Sequence, residues 1–284
     1  MLEFLKSIKR YRYAYKNWIL LIFKLELNKF PINVKTRLSN QSFIIYNRIM
    51  AYNIAWYEVL GYKITKFEEE SVVSVVYNSS LSLDFWGALS DGDLQGVYGQ
   101  SIYDKIEYLG KTVIDIGANI GDSCIYFALK GSNHVYALEP FPNTFKYALK
   151  NVSENGFTNK ITLLNVGIGT ENSEIHLDET TISTGGKRAI DNGFGYPIQL
   201  ISLETILKQY NISKAVLKID CEGCEYDIFR NVKPDVLGAF SDLLIEYHLG
   251  IRDLGAILLN AGFSVIVTPR SHKVGDIIAS KKPS

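Results

Sequence analysis

The feature that most constrains the fold is the alternation, from Lys111 onward, of short apolar segments with amphipathic ones. The apolar segments are rich in β-branched residues, which is typical of buried strands. Residues 142–155 carry apolar side chains at i, i+3, i+4 and i+7, the spacing of one buried helical face. Strands that alternate with helices predict a parallel sheet covered on both faces. The predicted strands are 112–117, 134–140, 161–169, 215–220 and 242–248, and the predicted helices are 122–130, 142–155, 201–210, 222–231 and 251–261.

The remaining segments predict a second, smaller part of the chain. Residues 1–92 do not share the alternation and are expected to form an α+β extension, with residues 93–284 as the main domain. Basic and aromatic residues are concentrated in 1–30, which fits a substrate cap, an oligomer surface or a peripheral membrane contact. A packed helical appendage is the simplest alternative. Further predicted elements are a helix at 47–61, strands at 72–77 and 81–87, and an antiparallel pair formed by "FSVIVTP" and "VGDIIAS".

Composition narrows the classes of function. Thirty basic and thirty acidic residues cancel, so a nucleic-acid partner is not expected. Three cysteines in 284 residues are too few for a disulfide framework, which favours a reducing compartment. The apolar run "WILLIF" is far shorter than the roughly 20 residues that span a bilayer. The sequence therefore predicts a cytoplasmic protein that at most touches a membrane peripherally.

The topology points to one edge of the sheet as the place of chemistry. In an open α/β sheet, ligands bind outside the carboxyl ends of the strands, near the point where the strand order reverses. Polar residues and glycines follow five of the predicted strands at this edge. These positions are 117–121, 139–141, 165–167, 220–222 and 246–248.

The first of these positions carries a glycine turn in the segment "DIGANIGD". Gly117 and Gly121 permit close approach of the backbone to a ligand, but Asn119 stands where a dinucleotide-binding turn has its middle glycine. The turn has no lysine or arginine, and Asp115 and Asp122 flank it. Two carboxylates suit a positively charged ligand without phosphate better than a pyrophosphate.

Glu139 follows the second strand, about 20 residues after the turn, where an acid can accept hydrogen bonds from both ribose hydroxyls. S-adenosyl-L-methionine combines a ribose with two cationic groups and has no phosphate, so it fits this pattern better than NAD. The alternative is that the glycines serve packing and Glu139 is a solvated strand end.

Residues 93–270 resemble the FkbM-type family of S-adenosylmethionine-dependent methyltransferases. The resemblance rests on four segments: "VIDIGANIGDSCIYFALKG", "VYALEPFPNTFKYALKNV", "LLNVGIG" and "LKIDCEGCEYDIF". It implies a class I methyltransferase (Rossmann-like) fold, with a mostly parallel seven-stranded sheet whose last strand is antiparallel. It also implies O-methylation of a hydroxyl on a sugar, glycolipid or natural product. The cofactor residues that it implies are Asp115, Gly117, Asn119, Gly121, Asp122, Glu139, Pro140, Phe141, Asn165 and Val166.

The segment "LKIDCEGCEYDIF" matches the family's acidic D-x-E-G-x-E pattern. Asp220 is the first candidate for contact with the methyl acceptor, and Glu222 either contacts substrate or stabilises the start of a helix. Glu225 is expected only to cap or to pair with a base. Cys221 and Cys224 lack the further ligands of a zinc site, and neighbouring carboxylates oppose thiolate chemistry, so we expect no metal and no redox pair here.

His248 is the candidate general base, because imidazole titrates near neutrality and a hydroxyl acceptor must lose its proton. Glu246 lies on the same strand face and could orient it, and a surface histidine is the alternative. Lys187 and Arg188 lie in the glycine-rich stretch 178–197, a candidate lid or acceptor contact. Two other classes share the fold, an NAD-dependent oxidoreductase and a non-catalytic nucleotide-binding module.

Overall fold

The structure is a computed structural model that describes residues 2–67, 70–177, 191 and 193–281. The chain divides into two compact units, with the division between Ser101 and Ile102. The domain boundary expected from the sequence, between residues 92 and 93, stays a prediction. Among the described residues, no helix is both long enough and apolar enough to cross a bilayer.

The first unit combines helices with two small antiparallel sheets. Its predicted helix at 47–61 and its predicted strands at 72–77 and 81–87 are confirmed. Its elements are α1 (Leu2–Ala14), α2 (Trp18–Glu26), β1 (Ile32–Lys35), β2 (Ser42–Ile45), α3 (Arg48–Leu60), β3 (Lys63–Lys66), β4 (Ser71–Asn78) and β5 (Leu81–Trp86), followed by a π-helical turn (Gln95–Gly99). Strands β1 and β2 form one sheet, and the other sheet has the order β3-β4-β5.

The second unit contains the predicted alternation of strands and helices. After a 3₁₀ turn (Ile102–Lys105) come β6 (Thr112–Ile116), α4 (Asp122–Leu129), β7 (His134–Leu138), α5 (Pro142–Glu154), β8 (Ile161–Leu164), β9 (Gly167–Ile168), β10 (Ser173–Leu177) and β11 (Tyr196–Ile201). The second half contains α6 (Leu203–Gln209), β12 (Ala215–Ile219), α7 (Glu225–Asn231), α8 (Pro234–Gly238), β13 (Phe240–Tyr247), α9 (Leu254–Asn260), β14 (Phe263–Pro269) and β15 (Gly275–Lys281).

Seven strands form the central sheet in the order β14-β15-β13-β12-β6-β7-β8. All are parallel except β15, which runs antiparallel to both of its neighbours. The predicted mostly parallel sheet with an antiparallel last strand is therefore confirmed. The strand order reverses between β6 and β12, which places the switch point of the sheet, and with it the expected ligand site, between their carboxyl ends.

The core explains why the sheet strands read as nearly continuous apolar runs. Alternate residues of the middle strands, such as Ile114 and Ile116 on β6, belong to one large buried cluster with side chains of α6 to α9. The residues between them point to the opposite face because side chains alternate along a strand. Asp115 lies on that second face and is completely buried. A buried carboxylate in the middle of a strand requires a partner, and Lys218 and Ser123 provide it.

Two sequence expectations about element bounds are wrong. The predicted strand 161–169 is two strands: β8 ends at Leu164, and β9 joins a separate sheet of order β10-β11-β9. The side-chain amide of Asn165 donates hydrogen bonds to the carbonyls of the two residues after β7, which turns the chain away from the sheet. Helix α7, predicted from residue 222, begins at Glu225 after a turn at 221–224.

Candidate active site

The glycine turn, residues 117–121, follows β6 at the switch point of the sheet. Its backbone has positive φ values at Gly117 (76°), Asn119 (50°) and Gly121 (87°). The N–H groups of Gly117 and Ala118 both donate to the carbonyl of Leu138, at 3.0 and 2.9 Å. Left-handed backbone at a non-glycine residue such as Asn119 costs about 1–3 kcal/mol and is concentrated at functional sites. The strained backbone at Asn119 therefore indicates a functional role for the turn in addition to reversing the chain.

The turn contacts the end of β12 directly. The Asp220 N–H donates to the Ile116 carbonyl at 3.0 Å. A Cβ atom added to Gly117 would lie only 1.9 Å from the Asp220 carbonyl oxygen, so only glycine fits there. The predicted cofactor turn and the predicted acceptor residue are thus immediate neighbours.

A buried ion pair fixes the turn from beneath. Lys218, which is 3% exposed, donates from Nζ to the Gly117 carbonyl at 2.7 Å and lies 3.0 Å from Asp115 Oδ1. Ser123 Oγ donates to Asp115 Oδ2 at 2.6 Å. Burial alone would lower the pKa of Lys218, but the charges of Asp115 and Asp220 raise it, so the lysine is cationic. Sequence reasoning missed Lys218, although a lysine inside an apolar strand is a detectable signal.

Glu139 lies against the glycine turn, and its predicted contact with a ribose stays a prediction. The residue is 4% exposed, and its Oε2 accepts the Asn119 N–H at 2.9 Å while its Oε1 accepts the Phe141 N–H at 2.9 Å. These two bonds orient the carboxylate through the backbone at the end of β7.

The other predicted cofactor residues surround this strand end. Phe141 is buried against Leu177 and Ile198. Asn165 donates from Nδ2 to the carbonyls of Glu139 and Pro140, at 2.8 and 3.1 Å. These contacts hold the segment in shape, and direct contact with a cofactor stays a prediction.

Three more of the predicted residues have structural contacts of their own. Asp115 is committed to Lys218 and Ser123, and Asp122 is 4% exposed with its Oδ1 accepting the Ser123 N–H at 3.0 Å. Val166 is half-buried against the large core cluster. For these residues, too, contact with a cofactor stays a prediction.

The second part of the site is the acid–histidine cluster, which we define as Asp220, Glu222, Glu225, Glu246 and His248. A single atom, His248 Nε2, lies at its centre. One N–H cannot make short hydrogen bonds to three acceptors, so charge attraction holds the ring there. The carboxylate distances from Nε2 are 3.5 Å to Asp220 Oδ1, 3.4 Å to Glu222 Oε2 and 3.5 Å to Glu246 Oε1.

Glu225 organises the cluster from below, a role that exceeds the capping or pairing expected from the sequence. It is completely buried. Its Oε2 accepts the backbone N–H of Gly223 at 2.8 Å, and its Oε1 accepts the backbone N–H of His248 at 3.1 Å. The same Oε1 lies 3.5 Å from His248 Nδ1. Glu225 therefore ties the turn after β12 to the end of β13.

Arg270, at the end of β14, is a further site residue that sequence reasoning missed. Its Nη2 lies 2.5 Å from Glu246 Oε1 and 3.3 Å from Asp276 Oδ1. The contact joins β14 to β13 across β15, a proximity that no local sequence pattern reveals. Arg270 and His248 are cations that face the carboxylates of the cluster, and Lys218 adds its positive charge near Asp220.

The cluster perturbs the acidities of its members. Burial would lower the pKa of His248, but the carboxylates of Glu225 and Glu246, with the charges of Asp220 and Glu222, raise it to about 10. Burial and the Glu246 charge raise the pKa of Asp220 to about 7. Burial also acts on Glu246, but His248 and Arg270 lower its pKa. At neutral pH the imidazole is therefore protonated, and Asp220 exchanges a proton readily.

The cluster also has the geometry to share a cation. Ligand atoms of Asp220, Glu246 and His248 all lie within 4.8 Å of one another. The sequence leaves open whether Asp220, Glu222 and His248 hold Mg²⁺, and oxygen-rich clusters at strand ends are common without a metal. A divalent ion would compete with the proton on His248 for the same nitrogen.

The sequence predicts no redox pair at positions 221 and 224, but the structure joins Cys221 and Cys224 in a disulfide across the turn. Glu222 and Gly223 between them have φ values of 56° and 114°, which folds the segment tightly and brings the two Cα atoms to 5.5 Å. This separation lies within the usual range for a disulfide. The predicted acceptor contacts Lys187 and Arg188 lie outside the described residues.

The sheet order, the antiparallel last strand and the site at the switch point together define a class I methyltransferase fold. A family model described as the methyltransferase FkbM domain matches residues 115–265, which is more than half of the chain. The chain therefore belongs to the FkbM methyltransferase domain family, as its resemblance predicts. Family membership also confirms S-adenosyl-L-methionine as the cofactor.

Individual relatives are more distant. The chain is similar to the ribosomal protein L11 methyltransferase of Carboxydothermus hydrogenoformans, with 26% identity over 173 residues. That match covers 61% of this chain and 45% of the relative, so the chain spans less than half of the relative's length. Among solved structures, an FkbM methyltransferase from Methylobacillus flagellatus KT shares 16% identity at a TM-score of 0.44, covering 60% of this chain and 43% of that one. TrmK of M. capricolum shares 15% identity at a TM-score of 0.44, covering 66% and 69%.

Proposed function

We propose that this protein transfers a methyl group from S-adenosyl-L-methionine to a hydroxyl of a sugar, glycolipid or other small-molecule acceptor. One observation carries the proposal: the backbone of Asp220 contacts the glycine turn, while its side chain belongs to the acid–histidine cluster. The groups suited to the cofactor and the groups suited to proton transfer thus meet at one residue. Family membership supports the reaction class, and the geometry supports the assignment of roles.

The residues of the turn fit this cofactor by the chemistry of their donors and acceptors. Glu139 is oriented by two backbone N–H groups at the strand end, where a carboxylate can accept hydrogen bonds from ribose hydroxyls. The turn itself carries no lysine or arginine that could pair with a pyrophosphate, and the buried Lys218 beneath it is already paired with Asp115. When bound, S-adenosyl-L-methionine supplies an activated methyl group, whose carbon bonds to the acceptor oxygen as its bond to sulfur breaks.

We assign Asp220 as the proton acceptor, instead of the His248 favoured by the sequence. A base must be unprotonated before the reaction, and the pKa of about 10 keeps His248 protonated at neutral pH. The pKa of Asp220, raised to about 7, gives a carboxylate that is ionised in part and is a stronger base than an ordinary aspartate. The hydroxyl proton of the acceptor passes to Asp220 as the new bond to carbon forms.

The neighbouring residues position Asp220 and His248. The protonated His248 attracts the Asp220 carboxylate from 3.5 Å and fixes its direction. Glu225 holds the backbone N–H of His248, and Arg270 holds Glu246. Holding acceptor oxygen and methyl carbon in line at close range is itself a large part of catalysis.

A transfer assay with a radiolabelled methyl donor tests the proposal. We expect label in one or more compounds of a library of sugars, glycolipids and polyketide alcohols, in a form that resists mild alkali because the product is an ether. An ester would lose its label in alkali. Label found only in protein or RNA fractions would contradict a small-molecule hydroxyl acceptor. A parallel series with a chelator measures whether the cluster requires a divalent ion, and we expect turnover to change by less than about twofold.

Calorimetry separates this proposal from the other two classes with the same fold. We expect S-adenosyl-L-methionine to bind and NAD to give no measurable heat, because the turn lacks the middle glycine and any cation for a pyrophosphate. Binding of NAD alone would indicate an oxidoreductase. Binding of the methyl donor without turnover on any acceptor would indicate a binding module.

A further inference from the structure

Helix α2 in the first unit presents large apolar side chains to solvent. Its inner face is anchored by Leu21 and Leu25, which are buried. On the outer face, Ile19 is 68% exposed, Leu20 is 46% exposed and Phe23 is 62% exposed. A nine-residue helix with apolar side chains on both faces has one face without a partner among the described residues.

The exposed side chains form one continuous stripe. Positions 19, 23 and 27 follow the i, i+4, i+8 spacing that places side chains above one another on a helix, and Leu20 lies beside them. Leu27, directly after the helix, is 48% exposed and extends the stripe by a further turn. A shallow surface groove of about 490 Å³ runs along its first half, lined by Lys16, Asn17, Trp18, Ile19, Leu20 and Phe23.

Positive charge borders the stripe. Lys16 and Lys29 are exposed at either end, and Lys24 is half-buried at its side. Lys16 Nζ donates to the neutral side chain of Asn40, and within residues 2–67, as far as they are described, none of these three lysines is in an ion pair with a carboxylate. Glu26 is the single acid of the helix. The lysine charges are therefore available to an anionic partner.

We propose that this surface, the α2 stripe with its three bordering lysines, docks onto an anionic membrane surface. Apolar side chains with flanking lysines are the combination by which helices lie in the interface of a bilayer, and Trp18 at the helix start adds a residue that favours that depth. The helix is too short to cross the bilayer, so the contact is peripheral. This inference is independent of the proposed function, because it uses no residue of the second unit.

The charges favour a membrane over a second copy of the chain. A twofold-symmetric dimer through this stripe would bring the lysines of one protomer close to those of the other, because such an interface pairs a surface with itself. Like charges placed together at an interface are costly. An anionic lipid surface meets the same lysines with opposite charge.

Vesicle sedimentation tests the proposal with the whole protein. We expect the protein to sediment with vesicles that contain about 30% phosphatidylglycerol, and much less with pure phosphatidylcholine or at high salt. The I19S/F23S variant removes two exposed apolar side chains and should lower the partition coefficient about tenfold or more. The matched control is L259S/I266S in the second unit, whose residues are 59% and 63% exposed, and it should bind as the wild type does.

A second variant and two further measurements make each outcome decisive. K16Q/K24Q/K29Q should lose the preference for anionic vesicles, and thermal unfolding should show that each variant folds as the wild type does. Absence of wild-type binding to anionic vesicles, or equal binding by I19S/F23S, would overturn the proposal. Sedimentation equilibrium without lipid covers the remaining case: a wild-type dimer that I19S/F23S dissociates would mean that a second copy covers the stripe.

Discussion

The glycine turn and the acid–histidine cluster lie at the same edge of one sheet, yet their polar atoms are held in different ways. In the turn, both oxygens of Glu139 accept backbone N–H groups at 2.9 Å, and Lys218 reaches the Gly117 carbonyl at 2.7 Å. In the cluster, His248 Nε2 lies 3.5 Å from Asp220 and from Glu246. Short hydrogen bonds hold the polar atoms of the turn, whereas Nε2 at the centre of the cluster has only long charge contacts with the carboxylates around it.

This difference indicates how the two regions divide the work. Hydrogen bonds within the protein hold Glu139 and the Gly117 carbonyl in place, which suits a site that must hold one cofactor in one orientation. The cluster holds four carboxylates against His248 and Arg270, and such an excess of charge perturbs acidities as sites of proton transfer require. We therefore expect substitutions in the two regions to affect different measurements.

The sharpest separation should come from Asp220→Asn. The amide cannot accept the proton of the acceptor, so turnover should fall by about 10² to 10⁴-fold, while the dissociation constant of S-adenosyl-L-methionine changes less than about threefold. The wild-type turnover should rise with pH through about 7 as the Asp220 carboxylate loses its proton, and this rise should be absent from the variant. Asp253→Asn, at an exposed ion pair, is the control and should leave turnover unchanged. Equal turnover of D220N and wild type would remove Asp220 as the base.

The buried support of the turn is tested by Lys218→Met. Removal of the lysine leaves Asp115 buried without its cationic partner, which should lower the free energy of unfolding by about 3–5 kcal/mol. The double variant K218M/D115V removes both charges and should recover most of that loss. Denaturant unfolding measures both values. A loss below about 1 kcal/mol in K218M would show that the pair does not support the turn.

Glu139→Ala should weaken cofactor binding by about 10²-fold, because two hydrogen bonds to a carboxylate are lost. Turnover at saturating donor should fall much less, which is the reverse of the result expected for Asp220. Calorimetry gives the affinity, and Glu171→Ala, at an exposed loop acid, provides the control. If turnover fell and affinity did not, Glu139 would belong to the chemistry and the division between the regions would be wrong.

A pH-dependent effect on stability is expected from His248. Its pKa in the folded protein, about 10, lies above the roughly 6.5 of an unfolded chain, so its contribution is complete below about pH 6.5 and disappears as the pH rises to 10. Each unit of raised pKa corresponds to about 1.4 kcal/mol, so the stability difference between wild type and His248→Asn should shrink by up to about 4 kcal/mol between pH 6 and pH 10.

His134→Asn is the comparison, because burial lowers the pKa of His134. A lowered pKa costs stability as the pH falls, so its difference from the wild type should change only below about pH 6.5. Denaturant unfolding at three pH values measures both variants. A constant difference for His248→Asn over the whole range would mean that the imidazole is neutral in the folded protein.

The sequence predicts the turn better than the cluster, for a physical reason. Gly117, Gly121 and Glu139 act through local backbone geometry and through one adjacent strand, so strand periodicity and the rule for strand ends locate them. The sequence also identifies Asp220, Glu246 and His248 as members of one edge. Local patterns are enough wherever a residue acts from the end of its own strand.

The proton state of the cluster depends on distances that local patterns do not contain. Arg270 contacts Glu246 from the residue after β14, and Glu225 contacts His248 from α7. Together with the end of β13, these segments determine the pKa of His248. The prediction of His248 as base rests on the ordinary pKa of imidazole, whereas the carboxylates around the ring raise that pKa. The same limit applies to Cys221 and Cys224, whose pairing depends on the left-handed turn between them.

The contact between Gly117 and the Asp220 carbonyl also limits how such a site can be redesigned. Main-chain atoms, rather than replaceable side chains, set the spacing between β6 and β12 at this point. A bulkier acceptor therefore cannot be accommodated by trimming residues on the donor side. Room for it has to be created on the opposite flank, where Glu246 and Arg270 are side chains that can be shortened without disturbing the main chain.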